Sequence, residues 1–281
     1  MTKKQDSTEL ATQDQSAVAT ISVSDEIGNY PALVPGSDVA EAMAANIAEG
    51  EQISTQDLTR IKTPSGGGTT WAWEDVEGEQ SSKEIKGLLV HVQRRGVLWP
   101  YEEPGDLQPV LVTNDLMYAD RVGEDAGDID EEELAKFVLP ESDPPGGNPW
   151  VGGQYDWNKL PWNQFGSGKG GFGKRCKESR MLFILREGEA WPVLINIGPG
   201  SLKDIKRFLM QMGGKVPHWR AVVSLTLTKE KSKSGVDFSK VVPKLAGTIS
   251  KEAGQLVHDT YTSVLKQTAA GVSAKPEDFG S

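Results

Sequence analysis

Two glycine-rich stretches are the first places where this sequence invites chemistry. Gly66-Gly67-Gly68-Thr69 lacks the Lys-Ser/Thr ending of a phosphate loop, and Gly168-Lys169-Gly170-Gly171-Phe172-Gly173-Lys174 lacks the strand before it and the helix after it. Both read as flexible loops. The carboxylates of Glu124 to Glu133 contain no glycine-centred twelve-residue loop ending in Glu, so they do not form a calcium loop. Their mutual repulsion favours a solvated loop, which on a tether would compete weakly for any nearby cationic groove. Cys176 lies between Arg175 and Lys177, which would lower its pKa, but no histidine motif makes it a nucleophile. A single cysteine excludes an intramolecular disulfide and a thiolate-rich zinc site, and His91, His218 and His258 are scattered. The expectation is a protein without catalytic residues, metal or cofactor.

Aromatic and basic side chains carry the positive signal. Holding a single nucleic-acid strand takes cations for the phosphates and flat side chains on which bases stack. Trp162, Phe165 and Phe172 fall among Lys169, Lys174, Arg175, Lys177 and Arg180. The combination recurs at Trp219, Arg220, Lys229, Lys231, Lys233 and Phe238. Phe183 and Trp191 sit inside apolar runs and are expected in the core. Lys203, Lys206 and Arg207 read as the solvated face of a helix.

The formal net charge of −10 hides a segregation. Tyr101 to Asp143 carries 14 acidic and 2 basic side chains, whereas Lys159 to Lys240 carries 16 basic and 6 acidic. Such blocks bear on partners, where an average does not.

Strands must position these groups. Ile85 to Gln93 reads as a buried strand, continued by Val97 to Tyr101 after a bend, and Pro109 to Thr113 as a second. Met181 to Arg186 and Trp191 to Ile197 form a hairpin around Glu187-Gly188-Glu189. Ser201 caps a helix whose face is Leu202, Ile205, Phe208, Leu209 and Met212, ended by Gly213-Gly214. Trp219 to Lys229 and Val236 to Leu245 make a last hairpin, and Ser250 to Gln267 a closing helix.

The fold class expected is mostly β with α: an OB-like five-strand barrel with a helix between strands 3 and 4, the third strand elaborated into a hairpin. An irregular Gly/Pro-rich insertion and a C-terminal helix complete it. No βαβ alternation points to a parallel nucleotide-binding sheet. The organisation is an acidic disordered tail over 1–58, with a short helix at Asp38 to Glu49, and a nucleic-acid-binding domain over 59–248. That domain carries an acidic insertion at 120–145 and an irregular lobe at 146–180. A helix over 249–268 and a polar tail over 269–281 follow.

The segments Ile61-Lys62-Thr63-Pro64-Ser65-Gly66-Gly67-Gly68-Thr69 and Leu160-Pro161-Trp162-Asn163-Gln164-Phe165-Gly166-Ser167, with Gly173-Lys174-Arg175-Cys176-Lys177, carry a resemblance. Over about residues 60 to 245 the chain resembles a group of bacteriophage and prophage proteins associated with DNA replication and single-stranded DNA binding. In that group a Cys-x-x-Cys pair and a later cysteine look like a zinc ribbon. Here the first two positions are Trp157 and Leu160, and only Cys176 matches. The resemblance therefore implies a degenerate ribbon at 146–180 that has lost its metal and is held by packing. It implies single-stranded DNA as partner, together with other replication proteins.

No apolar run approaches the roughly 18 residues that span a bilayer, and Met1 to Gln15 lacks an apolar signal stretch, so a cytoplasmic protein with no membrane partner is expected. The competing expectation is a protein–protein adaptor or virion component that binds through its acidic segments.

Overall fold

The computed structural model describes residues 28–34, 58–103, 105–140, 152–232 and 235–270. The expected Asp38 to Glu49 helix, Lys233 and the polar tail beyond 270 lie outside the described residues. The architecture is a mixed α+β arrangement, mostly sheet with few helices.

Its spine is β4 (Glu84–Leu98), buried on both faces over Gly87 to Val90 and again from Arg95 to Leu98. At about 3.3 Å per residue its 15 residues reach roughly 50 Å, far enough to serve three partners. Its start pairs with β10 (Ala221–Lys231), its middle with β8 (Lys177–Leu185), and its end with β5 (Leu111–Thr113). A register shift between Leu89 and His91 lets it bend between them. At Gly87 a Cβ would come within 2.2 Å of the Leu185 carbonyl oxygen, so only glycine fits this crossing.

β8 pairs antiparallel with β9 (Val193–Ile197), whose other edge is taken in parallel by β1 (Arg60–Ile61). β10 forms a long hairpin with β11 (Asp237–Thr248). Among the described residues β11 pairs only with β10 and β1 only with β9, so the sheet does not close into a barrel. β2 (Trp71–Asp75) and β3 (Gly78–Ser82) form a separate hairpin. Its Trp71 is fully buried, with its indole N–H donating to the Leu225 carbonyl at 3.1 Å.

The expected hairpin of Met181 to Arg186 with Trp191 to Ile197 is formed by the successive antiparallel strands β8 and β9. Pro109 to Thr113 contributes β5, a side ladder on the tip of β4, on the edge that β10 leaves free beyond Leu88. The bend expected at Arg94-Arg95-Gly96 is absent, and β4 runs through to Leu98.

Between β5 and β8 a lobe folds around its own apolar cluster. It contains β6 (Tyr118–Arg121), α1 (Glu131–Ala135) and β7 (Tyr155–Asp156). The acidic stretch expected to be a solvated loop is partly built into this lobe. Asp130 caps α1 by accepting the Glu132 and Glu133 N–H groups, and Arg121 grips both oxygens of Glu131 at 2.6 Å. Leu134 is buried beneath.

Two helices cover the sheet. α2 (Pro199–Gly213) lies between β9 and β10 in sequence and buries Ile205 and Met212 against Ile195, Ile197 and Val241. It starts at Pro199 rather than after a Ser201 cap, since proline at the first position wastes no backbone donor. The Ser201 hydroxyl instead accepts the Val241 N–H at 2.9 Å, tying α2 to β11. α3 (Lys251–Ala270) buries Ala253, Val257, Tyr261 and Leu265 in a second cluster with Val90 and Phe183. Tyr30 and Leu33 are buried in that cluster, so this part of the expected tail is anchored to the sheet.

Candidate nucleic-acid interface

The segment after Leu160 runs through a short 3-10 turn at Pro161–Asn163 and then a loop closed on itself. The Gly166 N–H donates to the Gly173 carbonyl at 2.7 Å, and the Cys176 N–H to the Trp162 carbonyl at 2.9 Å. Ser167 Oγ lies 2.7 Å from the Trp162 and Gln164 carbonyl oxygens and accepts the Arg175 N–H. Gly170, at φ +66°, supplies the left-handed turn that lets the Phe172 ring fold against it. These bonds hold out Phe165 and Phe172, which are 85% and 84% exposed. Single exposed apolar residues are ordinary, but two phenylalanines on one tied loop form a patch.

Cations surround this patch unequally. Lys174 Nζ stands 5.7 Å from the Phe165 ring centroid while pairing with Glu178 at 2.9 Å and Asn163 Oδ1 at 3.1 Å. Lys169 pairs at 2.7 Å with Glu103, both exposed, and this ammonium holds the Glu103 carboxyl below its usual range. Trp162 is half-buried and packs against the lobe's core.

Arg175 turns inward. It is buried, and its guanidinium contacts Glu102 at 3.0 Å, Asp128 at 2.6 Å and the Trp99 and Pro100 carbonyls at 3.2 and 3.0 Å. A cation so buried and paired pins the lobe to the end of β4. Lys177 donates to the Lys174 carbonyl at 3.1 Å.

Arg180 is placed differently. Its Cα partner across β4–β8 is Arg94, an exposed residue, so two guanidiniums stand side by side on one face. Neither makes an ion pair among the described residues, and the pKa of Arg180 is lowered by burial first and by Arg94 second. The sequence reading missed Arg94. Only the strand register, which composition does not reveal, brings it opposite Arg180.

The second set of expected residues divides in two. Trp219 is half-buried between His218 and His258, with ring centroids 5.0 Å from each, and Arg220 Nε donates to the Ile249 carbonyl at 3.0 Å. Both therefore fasten α3 to the sheet. Lys229 pairs with Asp237 at 2.7 Å, and its stem covers Gly67, where a Cβ would come within 2.7 Å of Lys229 Cγ. This seats the triple-glycine loop. Lys231 and Phe238 line a cleft of about 1080 Å³ between β1, the start of α2 and the tip of the β10–β11 hairpin.

Trp157, Leu160 and Cys176, the positions of the degenerate ribbon, are all buried in one apolar cluster. Burial pushes the Cys176 thiol well up, outweighing Lys174, Arg175 and Lys177, so the expected activation of this thiol is reversed. Among the described residues no three His, Cys, Asp or Glu side chains gather to hold a metal, and no helix is long and apolar enough to cross a membrane. Comparison with protein-family models, curated proteins and solved structures gave no match.

Proposed function

We propose that this chain is a non-enzymatic single-stranded DNA-binding protein of a phage replication or recombination system, acting in the host cytoplasm. The observation that carries the reading is the pair of exposed phenylalanines on the tied Phe165–Phe172 loop, with Lys174 beside the Phe165 ring. Bases stack on the rings, and phosphates neutralise the cations with little regard for sequence along most of the strand.

The pairing order supports an OB-like ancestry. Taking β4, β8, β9, β10 and β11 as its five strands, strand 1 pairs with 2 and 4, 2 with 3, and 4 with 5. The helix falls between strands 3 and 4, as that plan requires. Closure of strand 3 on strand 5 is the missing step, because β1 occupies that edge of β9. The adaptor reading is weaker, since Glu102, Asp128 and Glu131 are spent on Arg175 and Arg121.

Titration of the full chain with poly-dT, followed by its tryptophan emission, tests the proposal. Saturable quenching at low salt is expected. Unchanged emission together with no retention of the DNA would reject it.

A further inference from the structure

The cleft between β1 and the β10–β11 hairpin has features that sheet geometry alone does not require. Ser239 is 6% exposed, and its hydroxyl has no hydrogen-bond partner. Asn196 Oδ1 and one carboxylate oxygen of Asp237 are likewise buried and unpartnered, and all three residues line the cleft. Buried polar atoms are satisfied in the great majority of cases, so three lone oxygens around one cavity call for a ligand that brings donors.

One wall of the cleft is flat and fixed. The Phe238 ring lies against the first turn of α2, where a Cβ on Gly200 would approach its edge to 2.9 Å. The mouth carries the exposed Lys231. Aromatic wall, hydrogen-bond acceptors and a cationic rim together match a nucleotide. Arg180 pairs with Ile197, which sits between the lining residues Asn196 and Gly198, so β8 carries one arginine of the Arg94–Arg180 pair on the strand next to this wall.

We propose that the cleft receives one nucleotide of the bound strand, its base beside Phe238 and the two N–H bonds of its amino group donating to Asn196 Oδ1 and Ser239 Oγ. Cytosine, adenine and guanine carry such an exocyclic amino group and thymine does not. The chain therefore reads one position, preferring an amino-bearing base, while stacking elsewhere without selection. This rests on the single-strand reading above.

The test compares binding of the full chain to oligo-dC and oligo-dT of equal length, in the wild type and in a Ser239→Ala/Asn196→Ala variant. Preference for dC of about tenfold is expected, the discrimination typical of a well-made base contact. The variant should bring the ratio close to one with its melting temperature held, since Ser239→Ala deletes a hydroxyl that has no partner. Equal binding of dC and dT by the wild type would overturn the inference and leave the DNA-binding reading standing. A preference that survives in the variant would also overturn it. Failure to bind either strand would instead overturn the single-strand reading itself.

Discussion

Arg94 and Arg180 are directly opposed across the antiparallel β4–β8 pair, with no carboxylate paired to either among the described residues. Directly opposed like charges destabilise a sheet, so the pair gains from an anion laid across it. Replacing either with Gln should raise the stability of the free protein slightly at low salt, by a few tenths of a kcal/mol. The same change should weaken DNA binding and reduce its salt dependence by about 0.7 in log–log slope. Thermal melts and binding isotherms on both variants check the two halves together. A loss of stability with unaltered binding would make the pair purely structural.

Phe165→Ala and Phe172→Ala should each weaken binding by about 1–3 kcal/mol with the melting temperature unchanged, because neither ring is packed. Trp162→Ala should behave oppositely. Its ring supports the lobe's core, so its removal lowers stability by about 2 kcal/mol or more. Affinity measured beside denaturant midpoints separates the two kinds of aromatic.

Arg175→Ala should destabilise the protein by about 1–3 kcal/mol, since two buried carbonyls lose their donor and Glu102 and Asp128 lose their counter-charge. Fluorescence-monitored unfolding gives the value. A variant with wild-type stability and lost affinity would return Arg175 to the binding surface.

The His218 imidazole is held down at about 4, by burial first and by the neighbouring His258 second. A base depressed in the folded state takes up its proton more readily when unfolded. Its contribution is therefore intact above about pH 6.5 and is lost as pH falls toward 4. The loss should reach about 1–3 kcal/mol. His218→Gln should flatten the pH dependence of the melting temperature between pH 7 and 5; an identical slope in both proteins would show that another group sets it. Glu103, Glu131 and Asp259, all held below the usual carboxylate range, act in a lower window, losing their contribution as pH falls below their unfolded values.

Local pattern made some of this architecture readable in advance. The spacing of Leu202, Ile205, Phe208, Leu209 and Met212 identified α2, and the apolar runs identified β4, β8, β9 and the β10–β11 hairpin. The two-residue strand β1 was not readable, because Arg60 and Ile61 become strand only through pairing with Leu194 and Ile195 more than a hundred residues away. Charge was a poorer guide still. Arg175 and Lys169 look alike in sequence, yet one is buried against Asp128 and the other exposed beside Glu103. What separates them is the lobe core, built from Leu98, Leu111, Leu134, Trp157 and Cys176, which no local periodicity announces. Arg94 was hidden for the same reason, since a register is a property of two strands.

The most direct test of the central claim is the affinity of the full chain for a labelled oligo-dT, measured by anisotropy across a salt series. Binding should be tightest at low salt and weaken linearly in log–log form, with a slope of about −0.7 for each phosphate neutralised. The slope should shrink when Arg94 and Arg180 are both changed to Gln. An anisotropy that stays flat at the lowest salt, or an affinity indifferent to salt, would contradict the account.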